Sequence, residues 1–155
     1  MFGLLLSNCT EETINQTYTV NELVYEIDDI ECEIFNNINQ KRIDNNIHPL
    51  VLDKLTQEIS GKRVNEMIQD SVVSHQMFGT YVFKLLSLGA EHVGENVAYG
   101  YGTSAGVSNA WFDSEGHLKN ILNPKYDWCG ISVMEDPITK RKYFCHFFGG
   151  DDNLN

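Results

Sequence analysis

His75, Glu95 within Gly94-Glu95-Asn96, and His117 within Ser114-Glu115-Gly116-His117 are the residues of this chain best suited to chemistry. The glycines beside Glu95 and His117 let the backbone turn sharply and approach a ligand closely. Two imidazoles and a carboxylate form a workable divalent-metal set, zinc for example, with positions left for water. Their separation along the chain does not by itself show that they converge. Among the other histidines, His48 precedes a proline, His92 lies two residues before Gly94, and His146 stands among aromatics beside Cys145 and reads as core. Ser74 next to His75 and Ser114 near His117 offer Ser/His pairs, but neither has a recognisable oxyanion-donating turn, which disfavours nucleophilic catalysis.

Those residues must be positioned by an α+β scaffold. Val20, Leu23, Val24, Ile27, Ile30, Ile34, Phe35 and Ile38 recur at helical spacing, predicting a helix over 21–40. His48-Pro49 interrupts, and a second helix is expected over 51–70, with Leu52, Leu55, Ile59, Met67 and Ile68 facing inward. A short helix over 80–88 ends at Gly89, and a strand is expected over 91–99. Thr103 or Ser104 can cap a helix running to Asp113, and another short helix spans 117–122 before Pro124. Trp128–Met134 and Tyr143–Phe148 flank the turn-like Glu135-Asp136-Pro137 and are expected to close an antiparallel hairpin. Helices followed by a hairpin predict a small antiparallel sheet covered by helices.

That hairpin would bring Cys129 and Cys145 close to opposite each other. A cross-strand disulfide and two buried thiols are both compatible with it, because bridge geometry is narrow. Cys32 falls in a helical pattern and is expected as a core thiol. There is no C-x-x-C pair, so a cysteine-based zinc site is not expected.

The chain has 155 residues and a formal charge of −11, from 22 acidic and 11 basic side chains. Such a charge opposes nucleic-acid binding, which needs a basic patch, and opposes adhesion of the folded body to an anionic membrane. Met1-Phe2-Gly3-Leu4-Leu5-Leu6-Ser7-Asn8-Cys9 is an apolar run, small residues and then a cysteine, the layout at the end of a bacterial lipoprotein signal. On that reading Cys9 carries a lipid, the only contact with a membrane, and the polar residues after it form a tether. The alternative is an N-terminal hydrophobic strand with a buried cysteine. Residues 1–20 are therefore read as leader remnant or tether, 21–150 as the domain and 151–155 as a tail.

Four stretches, in order, resemble the CAP superfamily of cysteine-rich secretory, antigen 5 and pathogenesis-related proteins, in its compact bacterial form. They are Ile38–Arg42 with His48–Leu55, Gly94-Glu95-Asn96-Val97-Ala98, Trp111–Pro124 with its Ser114-Glu115-Gly116-His117, and Gly130–Val133 with Tyr143–Gly149. The resemblance implies an α-β-α sandwich with a central cleft, lined by His75, Glu95 and His117 and supported by Asn96 and Ser114. A second family glutamate would fall at Ser114 and is missing, which weakens a metal site. Asn39 and Arg42 are expected as hydrogen-bonding braces and Trp111 as core.

The resulting expectation is an extracytoplasmic, secreted or surface-anchored protein that binds a small ligand, a lipid or a host or surface protein without catalysis. The alternative is a divalent-metal-dependent, protease-like hydrolase with His75 and His117 as ligands and Glu95 as general base or third ligand.

Overall fold

The structure, a computed structural model, describes residues 16–20 and 23–152, with side chains from Asp28 onward. Expectations for Cys9 and for most of the tether lie outside those residues.

Strands β1 (Gln16–Val20) and β2 (Leu23–Ile27) pair antiparallel with Tyr18 opposite Tyr25. The helix expected from residue 21 therefore starts later, as α1 (Asp29–Asp44). Its start is set by a capping box, in which Glu31 N–H donates to Asp28 Oδ1 at 2.8 Å and Asp28 N–H to Glu31 Oε2 at 3.2 Å. Apolar spacing upstream of Asp28 fits both a helix and a strand, and the cap decides between them. The second expected helix is shortened in the same way. Val51–Leu52 forms β3, and Asp53 caps α2 (Lys54–Asp70) by accepting from Thr56 N–H at 2.8 Å.

Helix α3 (Phe78–Ser87), strand β4 (His92–Tyr99), helices α4 (Ser104–Asp113) and α5 (Glu115–Ile121), and strands β5 (Trp128–Glu135) and β6 (Lys142–Gly150) follow. Gly89, at φ 103°, turns the chain between α3 and β4 in a conformation that favours glycine. The main sheet has order β3-β5-β6-β4. Its two long ladders are antiparallel as expected, and the two-residue β3 adds a parallel pairing with β5 that makes the sheet mixed. The short β3 arrives after the α1–β3 loop rather than by a hairpin, so nothing in its two residues dictates direction.

The sheet separates two cores. On one face Phe144, Phe148, Cys129, Ile131 and Trp111 pack with Ile34 and Ile38 beneath α1, α4 and α5. On the other, Phe147, Cys145 and Val97 pack with Ile59, Val64, Met67, Tyr81 and Leu85 of α2 and α3. This is an α+β, α-β-α sandwich. Helix α2 lies against β5 where Gly130 leaves room, since a Cβ there would run into the Thr56 backbone. Ser60 Oγ donates to Gly130 C=O at 2.8 Å in the same place.

The β5–β6 register corrects the disulfide expectation. Cys129 stands opposite Phe148 and Cys145 opposite Ser132, on opposite faces of the sheet, and both are buried free thiols. An odd difference in register sends two side chains to different faces. Cys32 is 3% exposed on α1 but disulfide-bonded, not the free core thiol expected.

Asn39 and Arg42 brace α1 to the rest. Asn39 holds both backbone groups of Leu50, donating to its C=O at 3.0 Å and accepting from its N–H at 2.8 Å. Arg42, fully buried, donates to the carbonyls of His48, Ile121, Asn123 and Tyr126 at 2.8–3.0 Å. Trp111 is 1% exposed in the core.

Candidate functional site

The cleft opens along β4, between the segment joining α2 to α3 and helix α5. His75, Phe78, Val93, Glu95, Ser114 and His117 line a hollow of about 400 Å³, with Asn120 and two glycines completing it. The three residues singled out in the sequence thus border one hollow. Asn96 is not on its surface. It is fully buried, donates to His117 C=O at 3.1 Å and accepts from Asn120 Nδ2 at 2.9 Å, so it holds α5 against β4.

Glu95 projects from β4 toward α2, because odd-numbered residues of this strand face that side. Its carboxylate is taken up on both oxygens. Arg63 Nε donates to Oε1 at 2.9 Å, and His75 Nδ1 lies 2.7 Å from Oε2. A carboxylate only accepts, so Nδ1 of His75 carries the proton and Nε2 is left toward solvent or ligand. Cys145 Sγ donates weakly to Oε1 at 3.7 Å. Burial and the neighbouring Glu95 push its thiol well above the ordinary range, so it stays protonated and is no nucleophile.

Arg63 is the hub behind the cleft, and only 1% exposed. It also pairs with Glu66 at 2.8 Å and donates to Ser74 C=O at 2.7 Å, which fixes the backbone next to His75. Tyr81 donates to Glu66 at 2.6 Å, and burial with that carboxylate pushes the phenol up to about 12. The sequence reading missed Arg63, Glu66 and Tyr81. A signal existed: Arg63 is four residues after Ile59 and four before Met67, so a charge sits on the inward stripe of α2.

His117 presents the opposite chemistry. Its Nδ1 is buried without a hydrogen-bond partner among the described residues. Burial, followed by the nearby His75, lowers its pKa, which keeps the imidazole neutral. That nitrogen is closed off from the hollow, so a guest meets His117 through the other edge of its ring.

The donor set does not fit a three-ligand metal centre. Donor atoms taken one each from His75, Glu95 and His117 do not all lie within 4.8 Å of one another. Among the described residues, the set of three whose donor atoms all lie within 4.8 Å of one another is Glu91, His92 and Asp152, outside the cleft. There Lys125 Nζ already stands 3.4 Å from His92 Nε2 and 3.8 Å from Asp152. His48 bonds Tyr126 C=O at 3.1 Å and pairs with Asp127, away from the hollow.

A three-layer α-β-α sandwich around a mixed four-stranded sheet defines the class. The model of the cysteine-rich secretory protein (CAP) family matches residues 35–147, and the chain belongs to that family. It is 28% identical over 127 residues to YkwD of Bacillus subtilis, covering 79% of this chain and 49% of that protein. It is also 28% identical over 122 residues to the B. subtilis membrane protein YlbC, covering 76% of this chain and 34% of that one. The chain therefore spans half or less of the curated relatives it matches. Its fold is similar to an outer surface protein of Borrelia burgdorferi, with a TM-score of 0.69 at 20% identity over 77% of this chain and 90% of that one. It is likewise similar to an extracellular SCP-domain protein of Bacillus anthracis, with a TM-score of 0.64 at 22% identity over 77% of this chain and 39% of that chain.

Proposed function

We propose that this CAP domain works outside the cytoplasm as a binding protein, taking a small guest into the His75/Glu95/His117 hollow without transforming it. The observation that carries this reading is the double engagement of Glu95 by Arg63 and His75. A carboxylate that takes a hydrogen bond on each oxygen serves here to orient the guanidinium and the imidazole. The hydrolase alternative needs a metal, and among the described residues the cleft donors do not form a set of three within 4.8 Å of one another, so it is not favoured.

The hollow suits a guest with one polar and one apolar side. Ser114, Asn120 and the open edge of the His117 ring offer hydrogen bonds, while Phe78 and Val93 offer apolar contact. Placement outside the cytoplasm is supported by the outer-surface and extracellular relatives and by the disulfide at Cys32, which an oxidising compartment permits.

A fragment library titrated into labelled protein, read on the imidazole and amide NMR signals, tests the hollow. Shifts at His75, Gly94, His117 and Asn120 are expected. Fragment responses confined to other surfaces would sink the reading. Protease accessibility on intact cells and the intact mass of the mature chain test location and separate a lipidated Cys9 from a secreted form.

A further inference from the structure

Strand β4 ends the main sheet, and its outer edge runs into the cleft. Gly100 N–H donates to Lys142 C=O at 2.8 Å, which sets the alternation of the ladder. Successive residues of a strand point their backbone groups to opposite edges. Even-numbered residues from Gly100 back to His92 therefore turn their N–H and C=O toward β6. Val93, Glu95, Val97 and Tyr99 turn theirs outward.

Part of that outer edge is already covered. Asn120 Nδ2 donates to Glu95 C=O at 3.1 Å, and Trp111 Nε1 reaches Val97 C=O at 3.4 Å. The covering stops at Glu95. The N–H and C=O of Val93 have no partner among the described residues, and Val93 is a half-buried residue lining the hollow. An open pair of backbone groups at a sheet edge is a template for another strand.

We infer that the guest of this cleft is an extended peptide segment, added as a short strand on the outer edge of β4 at Val93 and stopped at Glu95 by Asn120. This deepens the binding-protein reading and rests on it. A guest residue opposite Val93 exchanges two backbone hydrogen bonds with it, and its side chain falls on the same sheet face as Val93, the face toward α3. Phe78 and His75 stand on that side, and His117 and Ser114 flank the other. Because α5 and Asn120 close the edge beyond Glu95, the added strand is short, and the guest enters by one of its ends.

The test uses the full chain and a pool of random-sequence peptides about six residues long at millimolar concentration, with an N-methylated pool as control. Backbone pairing tolerates many sequences, so a pool is a suitable probe. In the free protein the Val93 amide exchanges fast while those of Gly94 and Asn96 are protected. Adding the pool slows Val93 exchange about ten-fold, and the N-methylated pool does not. Val93→Pro removes an outward N–H and leaves the β6 ladder intact, which an edge strand tolerates. It lowers pool affinity about ten-fold, and continued protection of the Gly94 and Asn96 amides shows that the ladder to β6 is intact in the variant.

A Val93 amide already protected in the free chain would overturn the inference. So would equal binding of the N-methylated pool, or of the natural pool by Val93→Pro. Absence of pool binding while fragments still shift the imidazoles overturns the peptide guest and leaves the hollow standing. Silence from both fragments and pool overturns both.

Discussion

At the scale of single residues, the cleft is governed by how one carboxylate is neutralised. Glu95 is 4% exposed and would be costly to bury as an isolated charge. Arg63 and His75 compensate it from two sides, and Arg63 spreads its remaining donors over Glu66 and Ser74. Truncating Arg63 leaves Glu95 stranded. Arg63→Ala is expected to lose about 3–5 kcal/mol in urea unfolding, because breaking a buried pair leaves an uncompensated charge. A loss under about 1 kcal/mol would mean that Arg63 contributes no more than a surface ion pair. Arg63→Lys is expected to restore only part of the stability, since an ammonium cannot direct a planar fork to three acceptors.

At the scale of elements, the layers are set by close backbone approaches as much as by apolar area. Helix α2 rests on β5 at Gly130, where Ser60 bridges Thr56 C=O and Gly130 C=O at 2.9 and 2.8 Å. A methyl group there would push on helix backbone, which cannot swing aside as a side chain can. Gly130→Ala is expected to cost about 1–3 kcal/mol through overpacking. The same helix carries Arg63, so the displacement should also reach the cleft as shifted signals from His75. Full stability in the variant, by thermal or urea unfolding, would show that α2 and β5 are held apart by something other than this contact.

At the scale of the whole molecule, two buried titratable groups on opposite logic shape the pH dependence of folding. His146 is fully buried between Trp111 and Phe148 with neither ring nitrogen bonded among the described residues, and burial pulls its pKa down to about 3. Its folded pKa lies below the unfolded value of ~6.5, so its contribution is present above that pH and is lost as pH falls toward 3. Glu31 caps α1 and accepts from Val133 N–H at 2.9 Å, and burial followed by the neighbouring Asp28 raises it to about 7. Its folded pKa lies above the unfolded value, so its contribution is present below pH ~4.5 and is lost as pH rises through 7. Between those limits the two slopes oppose each other. His146→Phe is expected to expose a stability that falls from pH 5 to 7, and Glu31→Gln one that rises over the same range. Chemical denaturation in a pH series checks both, and variants with parallel profiles would contradict the assignment.

The amino-acid sequence by itself determined the family, the sandwich class and the three residues that border the hollow. The ordered motifs around Gly94-Glu95-Asn96 and Ser114-Glu115-Gly116-His117 carried the family resemblance, which implied the sandwich and the cleft residues, while apolar spacing alone reached an α+β class. Tertiary structure decided what local signals cannot carry. Apolar spacing around residue 24 is shared by helix and strand, and the Asp28–Glu31 cap with pairing to β1 settled it. Register, which depends on partners 13–19 residues away, sent Cys129 and Cys145 to opposite faces. The charge balance of the cleft came from Arg63, a residue 32 positions from Glu95 that meets it because α2 crosses the sheet. Long-range placement of charge and of open backbone edges is a property of packing, and no window of sequence contains it.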